Sequence, residues 1–218
     1  DCLLSRGLGD VYKRQDMLLF LRVLGQRSAA LRHAASEAMR ERDTMRSLAY
    51  TDSLTGLCNR RGMQMALQSA LAQASPQRLV ALYLMDLDGF KPVNDTYGHD
   101  VGDDLLVAVG HRLEANVRQN TDLVARLGGD EFIVMARELA TPEQAQELGR
   151  ALLHAFEKPF RLSHLSIQVG LTIGYALAPL DSDDAQHLVR LADAAMYAGK
   201  ESGKHCIRRN PGELALAS

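Results

Sequence analysis

Several residue types are scarce in this sequence, and their scarcity argues against several classes of protein. There is no tryptophan, and the three cysteines among 218 residues are an odd number without metal-ligand spacing. This usage argues against a disulfide framework and favours a reducing cytoplasm. The 25 basic and 27 acidic residues form no long basic cluster, so broad electrostatic binding to nucleic acid is not indicated. No apolar run reaches the ~20 residues of a membrane span, and the best stretch, residues 17–24, contains Arg22.

The first 15 residues differ in texture from the rest of the chain. They read "DCLLSRGLGDVYKRQ", begin without Met and show no continuous periodicity. We interpret residues 1–15 as translated read-through outside the native fold, or as disorder. On this interpretation a natural N-terminal sensory region is missing. Residues 210–218 are expected to form a flexible tail.

Residues 16–48 carry a heptad pattern. Apolar residues recur at alternating spacings of four and three in a segment that contains a single glycine, Gly25, and no proline. Ten positions make up this heptad stripe, and eight of them are apolar: Met17, Leu21, Leu24, Ser28, Leu31, Ala35, Ala38, Arg42, Met45 and Ala49. A single helix packed on its own domain is the alternative, but the length of the stripe favours a two-stranded parallel coiled coil. The polar breaks and the many alanines predict that this coiled coil is weak.

Residues 49–209 predict one domain of interleaved helices and strands. The spacing of apolar residues predicts helices at about 59–74, 101–117, 142–157 and 184–200. Short apolar or β-branched runs predict strands at about 79–85, 122–125, 132–136, 159–163, 165–177 and 205–209. Interleaving of this kind indicates an α/β or α+β sheet with helices packed on it.

A Gly-Gly pair separates two of the predicted strands, in the stretch "RLGGDEF". Glycine adopts positive φ without steric cost, so Gly128 and Gly129 predict a hairpin whose backbone a ligand can approach closely. Asp130 and Glu131 follow, and carboxylate oxygens are ligands that suit Mg²⁺. Taken alone, the stretch is equally consistent with a surface hairpin whose acids are merely solvated.

A second acidic stretch follows the predicted strand at 79–85. Asp86 is in phase with the apolar face of that strand, and a buried carboxylate needs a cation or a metal as partner. Asp86 and Asp130 are therefore expected to meet across adjacent strands and hold Mg²⁺. Lys91 supplies a compact positive charge for a terminal phosphate. Side chains able to read a guanine edge follow it, namely Asn94 and Asp103.

Five motifs, in order and at matching spacing over about residues 49–209, resemble the GGDEF family of diguanylate cyclases. They are "DSLTGLCNRR" at 52–61, "DLDGFKPVNDTYGHDVGDDLL" at 86–106, "ARLGGDEF" at 125–132, "LTIGYA" at 171–176 and "ADAAMYAGKESGK" at 192–204. The resemblance implies a palm-like fold, α/β (α+β), with a central, mostly antiparallel sheet flanked by helices. It also implies condensation of two GTP into cyclic di-GMP and two pyrophosphates between two subunits that meet face to face.

The resemblance assigns roles residue by residue. Mg²⁺, or Mn²⁺, is expected on Asp86, Asp130 and the carbonyl of Leu87. GTP is expected on Phe90, Lys91, Asn94, Asp103, Gly128, Gly129, Lys200 and Lys204. Asp130 and Glu131 form the catalytic acidic tip, and the acceptor of the 3′-hydroxyl proton is left open between them and bulk base. Asp88 and Asp95 are interpreted as local turn or cap residues.

Many family members bind their product at an Arg-x-x-Asp site before the hairpin. Here Asp122 matches the aspartate, the arginine position falls on Gln119, and Arg150 matches a second arginine. If residues 118–119 still belong to a helix, Arg118 points away from that site, because side chains of successive helical residues are rotated by about 100° around the helix axis. Gln119 lacks the charged fork that clamps phosphate. Weak or absent product inhibition is therefore expected.

Three rival interpretations accompany the cyclase. The first is a catalytically silent module that binds GTP or cyclic di-GMP, which the intact acidic tip argues against. The second is a cyclase with a mixed GMP–AMP product, which the carboxylate of Asp103 disfavours. The third is a structural coiled-coil protein, which leaves the nucleotide motifs unexplained. Under the cyclase interpretation we expect a homodimer through the N-terminal helix. The location expected is the cytoplasm, as part of a larger, perhaps membrane-attached, bacterial protein.

Overall fold

The computed structural model of the chain describes residues 49–210 and scattered positions between 17 and 39. Backbone contacts divide the chain into two units, residues 1–47 and residues 48–218. The described positions of the first unit are helical, and His33 and Glu37 form an exposed pair one turn apart. The predicted read-through and the predicted tail from residue 211 onward lie outside the described residues. So does most of the predicted coiled coil.

A six-stranded sheet forms the centre of the second unit, in the order β1-β3-β4-β2-β7-β8. Its strands are β1 (Cys58–Asn59), β2 (Leu79–Asp88), β3 (Leu123–Gly128), β4 (Glu131–Leu139), β7 (Gly170–Ala178) and β8 (Ile207–Arg209). Neighbouring strands are antiparallel except for the two edge pairings, β1 with β3 and β7 with β8. A separate two-stranded sheet contains β5 (Phe160–Leu162) and β6 (Leu165–Ile167).

Five helices flank the central sheet in the described part of the chain. They are α1 (Arg60–Leu71), α2 (Phe90–Tyr97), α3 (His99–Glu114), α4 (Pro142–Ala155) and α5 (Ala185–Glu201). Side-chain oxygens of Asn59, Thr141 and Asp184 cap the N-termini of α1, α4 and α5. These caps satisfy backbone N–H groups that have no partner inside the helix.

The strand β2 supplies both faces of the core. Val80, Leu82 and Leu84 pack with buried residues of α1 and α5, whereas the intervening residues of β2 pack with α3 and α4. This alternation follows from the two-residue repeat of a strand. The expected palm-like architecture is confirmed: a central, mostly antiparallel sheet flanked by helices on both faces.

The sequence pattern misses two elements and merges two others. Helix α2 was not predicted, because only Val93 of its eight residues is buried and Pro92 weakens the helical pattern. The strand β1 is two residues long and exists through its pairing with β3. The predicted strand at 165–177 is two strands, β6 and β7, which belong to different sheets.

None of the helices among the described residues has the length and apolarity to cross a bilayer.

Candidate functional site

The β3–β4 hairpin presents an open backbone at its tip. Gly128 has φ +135° and Gly129 has φ +55°, a region that other residues rarely adopt. A Cβ added at either glycine meets no atom within 4 Å, so the space above the tip is open. Asp130 and Glu131 follow immediately, and Glu131 begins β4. The tip therefore combines accessible backbone with two carboxylates.

Arg126 holds the backbone of this tip through hydrogen bonds. Its Nε and Nη2 donate to the Gly129 carbonyl at 3.0 and 2.8 Å, and its Nη1 donates to Asp52 Oδ1 at 3.1 Å. Burial opposes ionisation of Asp52, but hydrogen bonds from Thr55 and Arg126 outweigh it and hold the pKa of Asp52 below its usual value. Sequence analysis did not assign Arg126 a role, although a basic residue inside an apolar strand was a usable signal.

The end of β2 brings Asp86 to the hairpin. Asp86 pairs across the sheet with Glu131 on one side and Thr172 on the other. The amide of Leu87 contacts the Asp130 carbonyl at 3.4 Å. Burial raises the pKa of Asp86, and the nearby charge of Asp130 adds to the rise. Asp86 and Asp130 are thus brought together where β2 pairs with the start of β4, and like charges at such positions repel each other.

A cation already contacts Asp86 in the structure. The Lys200 ammonium at the end of α5 lies 2.6 Å from Asp86 Oδ1 and opposes the rise in its pKa. Among the described residues, no group of three or more His, Cys, Asp or Glu side chains is placed to hold a metal ion. Mg²⁺ commonly takes one or two carboxylates and completes its shell with phosphate and water oxygens. Asp86, Asp130 and the Leu87 carbonyl are a donor set of that kind.

The expected guanine readers lie on the adjacent helices. Asn94 is on α2 and Asp103 is on α3. Asn94 Oδ1 is buried without a hydrogen-bond partner in the described part of the chain, so it has an unused acceptor. A Cβ at Gly102 would lie 1.8 Å from this oxygen, so only glycine leaves room for it. Asp103 is exposed.

Helix α2 begins beside these residues with free backbone donors. Gly89, at φ +90°, precedes the helix and provides no side-chain cap. The first residues of α2 are Phe90 and Lys91, whose N–H groups are among those without a partner inside a helix. Such an N-terminus favours anions.

The turn after α5 carries the second expected phosphate lysine. Lys204, at φ +63°, donates its backbone N–H to the Gly199 carbonyl at 3.1 Å. Its neighbour His205 donates its backbone N–H to Asp88 Oδ2 at 3.0 Å. Asp88 also accepts a hydrogen bond from the buried hydroxyl of Thr172. The local turn or cap role expected of Asp88 is therefore wrong, because its partners are distant in sequence.

The expected product site is organised by an ion pair. Helix α3 ends at Glu114, so Arg118 lies in a following turn and the helical rotation argument does not apply. The Arg118 guanidinium donates to both carboxylate oxygens of Asp122 at 3.0 and 2.7 Å. Gln119 lines a cleft of about 530 Å³ together with Glu114, whose carboxylate disfavours an anionic ligand. Arg150 is exposed on α4.

Comparison with known proteins identifies the family. The family model "Diguanylate cyclase, GGDEF domain" matches residues 49–206. The bifunctional diguanylate cyclase/cyclic di-GMP phosphodiesterase MucR of Pseudomonas aeruginosa is 40% identical over 183 residues, which are 84% of this chain and 26% of MucR. The cyclic di-GMP phosphodiesterase PdeR of Escherichia coli is 38% identical over 170 residues, which are 78% of this chain and 25% of PdeR. The chain thus spans about a quarter of the length of each.

A solved structure shows the same architecture. The GGDEF domain of TpbB (YfiN) from Pseudomonas aeruginosa is 38% identical and superposes with a TM-score of 0.71, covering 76% of this chain and 95% of that one. The family match therefore coincides with the sheet, the glycine hairpin and the acidic pair described above. The chain belongs to the GGDEF-domain family of diguanylate cyclases.

Proposed function

We propose that this protein condenses two molecules of GTP into cyclic di-GMP and two pyrophosphates in the presence of Mg²⁺ or Mn²⁺. The observation that carries the proposal is the convergence of Asp86 and Asp130 beside an open Gly-Gly tip, with Lys200 on Asp86. Phosphoryl transfer depends mainly on positioning and on neutralising charge. This arrangement supplies both functions.

The nucleotide lies with its phosphates at the hairpin and its base near α2 and α3. The amides of Gly128 and Gly129 are open to phosphate oxygens, and the N-terminus of α2 adds donors from Phe90 and Lys91. Lys204 takes the terminal phosphates. Asn94 and Asp103 bind the guanine edge, where the unused Oδ1 of Asn94 accepts from a base N–H.

A divalent cation, when bound, polarises the α-phosphate and lowers the pKa of the attacking hydroxyl. The 3′-oxygen of one GTP forms a bond to the α-phosphorus of the other, and the bond to the β-phosphate oxygen breaks, so pyrophosphate leaves. Repetition in the opposite sense closes the ring. The 3′-hydroxyl proton passes to Asp130, to Glu131 or to bulk base, and the rate of the Glu131→Gln variant tests the route through Glu131. Arg60 Nη2 lies 3.7 Å from Glu131 Oε2, so the two side chains form an exposed ion pair.

Catalysis requires a homodimer in this proposal, because one domain holds one GTP and the attack joins two. Residues 16–48 raise the effective concentration of the two domains when they pair as a coiled coil. Specific activity of the full chain is expected to hold on dilution. Removal of residues 16–48 is expected to make specific activity fall with dilution, as for half-sites that meet by diffusion. Constant specific activity in the shortened protein contradicts this role of the N-terminal segment.

The direct test is incubation of the full chain with GTP and Mg²⁺, with the product identified by mass spectrometry. Cyclic di-GMP as the product supports the proposal, and a mixed dinucleotide formed when ATP is added contradicts the assigned specificity.

A second candidate is a GGDEF module that binds GTP or cyclic di-GMP without turnover. The similarity to PdeR favours it, because that relative is named a phosphodiesterase. Binding of GTP measured by calorimetry, with no cyclic di-GMP formed at any protein concentration, would establish this second function.

A further inference from the structure

The turn that follows α5 has an unusual backbone. Gly203, Lys204 and His205 have φ of +124°, +63° and +43°, so three successive residues occupy the left-handed side of conformational space. Lysine and histidine rarely adopt such angles unless surrounding contacts hold them there. The turn therefore depends on groups outside itself for its shape.

Two side chains from the central sheet supply that support. The backbone N–H of His205 donates to Asp88 Oδ2 at 3.0 Å and to Thr172 Oγ1 at 3.1 Å. Thr172 is completely buried, and its hydroxyl donates to the Asp88 carboxylate at 2.8 to 2.9 Å. A further bond runs from the Leu171 amide to His205 Nδ1 at 3.4 Å. The ends of β2 and β7 thus bind the turn at His205.

The same two residues flank the proposed metal ligand. Thr172 lies directly opposite Asp86 in the pairing of β2 with β7, and Asp88 is two residues beyond Asp86 on β2. The opposite neighbour of Asp88 is Gly170, where a Cβ would lie 3.1 Å from both Cβ and Oδ2 of Asp88. Glycine at that position leaves room for the carboxylate. The network therefore fixes the turn at a set position relative to Asp86.

The contacts of Asp88 differ from those of the metal-binding pair. Both of its oxygens accept from Thr172, and Oδ2 also accepts from the His205 amide. Asp86, in contrast, contacts the ammonium of Lys200. The hydrogen bonds of Asp88 are internal to the protein, and they serve the turn.

We infer that Asp88 and Thr172 are positioning residues that hold the turn at Lys204 so that its ammonium meets the terminal phosphates of GTP. The inference rests on the proposed function, because it requires GTP in the site. Lys200 lies within helix α5, whereas the turn at Lys204 is held both by α5, through the Gly199 carbonyl, and by the sheet, through the His205 amide.

The test uses the full chain and the Thr172→Val variant, which keeps the branched shape and removes only the hydroxyl. Affinity for GTP, measured by calorimetry, is expected to fall about tenfold, the size of effect that follows loss of an orienting contact. Affinity for GMP, which lacks the terminal phosphates, is expected to stay within about twofold of the parent. In turnover, KM is expected to rise while kcat stays within about twofold. Thr172→Ser restores a hydroxyl and is expected to restore GTP affinity.

A double-mutant cycle isolates the route through Lys204. Lys204→Ala alone is expected to weaken GTP binding, and Thr172→Val added to it is expected to cause no further loss. In a Lys200→Ala background the effect of Thr172→Val is expected to persist. Equal weakening of GMP and GTP, or an undiminished effect of Thr172→Val beside Lys204→Ala, overturns the inference. A shift in the midpoint of thermal unfolding with unchanged GTP affinity also overturns it.

The outcomes separate this inference from the proposed function. If the parent binds GTP but forms no cyclic di-GMP, the cyclase proposal fails and the binding cycle still decides the inference. If the parent forms cyclic di-GMP and Thr172→Val binds GTP as the parent does, only the inference fails. A parent that does not bind GTP overturns both.

Discussion

Asp86 and Asp122 each pair with one basic side chain, yet the two ion pairs are built differently. Asp86 has 14% of its side chain exposed and contacts Lys200 through one ammonium at 2.6 Å. The Asp122 side chain is wholly buried and accepts two hydrogen bonds from the Arg118 guanidinium. It also accepts from the backbone amides of Arg118 and Arg137. A guanidinium fork holds a fixed geometry, whereas an ammonium on a flexible stem exchanges partners readily.

The difference indicates a structural role for the Asp122–Arg118 ion pair and a different role for the Asp86–Lys200 pair. The Asp122 pair immediately precedes β3, the strand that ends at Gly128 in the hairpin tip. Each carboxylate oxygen of Asp122 accepts two hydrogen bonds from Arg118 and Arg137, so this carboxylate stabilises the start of the strand. In the proposed function, a divalent cation replaces Lys200 at Asp86, and the ammonium moves to a phosphate. Under this proposal, similar charges serve exchange of partners at Asp86 and rigidity at Asp122.

Neutralising each carboxylate in turn is expected to have the largest effects on the two ion pairs. Asp86→Asn is expected to reduce cyclic di-GMP formation about 100-fold or more, the scale of losing one electrostatic stabiliser of a transition state. Asp122→Asn is expected to retain turnover and to lower the free energy of unfolding by about 1–2 kcal/mol. That value lies below the ~3–5 kcal/mol of a fully buried pair, since Arg118 is 48% exposed. Initial rates and chemical denaturation measure the two effects, and a reversed pattern would contradict the distinction.

Asp103 is a carboxylate that belongs to neither ion pair. Asp103→Ser is expected to reduce the selection of GTP over ATP by about 10-fold to 100-fold, because a bidentate acceptor for the guanine edge is lost. The ratio of kcat/KM for the two nucleotides is the measurement. Asp104→Ser, at the next position of α3, is the matched control and is expected to keep the parent's ratio. Unchanged selection in Asp103→Ser would mean that this residue does not read guanine.

Competition between Lys200 and a divalent cation for Asp86 can be measured without catalytic turnover. Lys200→Met removes the ammonium that competes for the carboxylate, so Mn²⁺ affinity without nucleotide is expected to rise about fivefold, the equivalent of ~1 kcal/mol. GTP affinity is expected to fall in the same variant. Lys204→Met is the control, and its Mn²⁺ affinity is expected to equal that of the parent. Electron paramagnetic resonance of free Mn²⁺ measures both, and a weaker Mn²⁺ affinity in Lys200→Met would argue against competition.

The smallest effect is expected at the Asp122–Arg118 ion pair. Addition of cyclic di-GMP is expected to change turnover by less than about twofold, because Arg118 is engaged by Asp122 and Gln119 offers no charged fork to phosphate. Calorimetry is expected to detect no tight product binding at this face. Tight binding that disappears in Arg118→Ala would show that the arginine leaves Asp122 to bind product.

Much of this organisation is readable from the sequence because it rests on local rules. Gly128 and Gly129 between two apolar runs predict the hairpin, and the phase of Asp86 along an apolar strand predicts a carboxylate that needs a cation. Both follow from short-range periodicity. The identity of that cation in the structure, Lys200, depends on where α5 ends relative to β2, which no local pattern encodes.

The missed features depend on tertiary placement. Thr172 reads as an ordinary β-former in an apolar strand, and only the return of the chain after α5 brings the His205 amide to its hydroxyl. Arg118 was expected to point away if it belonged to a helix, but α3 ends four residues earlier and the turn directs the guanidinium onto Asp122. Helix ends are set by such competing contacts and are the least reliable part of a sequence-based prediction.

The stoichiometry of the reaction shows most directly whether the acidic tip synthesises cyclic di-GMP. The full chain is incubated with GTP and Mg²⁺, and cyclic di-GMP and pyrophosphate are quantified together for the parent and for Asp130→Asn. We expect two pyrophosphates per cyclic di-GMP from the parent. From Asp130→Asn we expect a rate reduced about 100-fold or more with an unchanged midpoint of thermal unfolding. Pyrophosphate released without cyclic di-GMP, or undiminished turnover in Asp130→Asn, would contradict the assignment of the acidic tip to cyclic di-GMP synthesis.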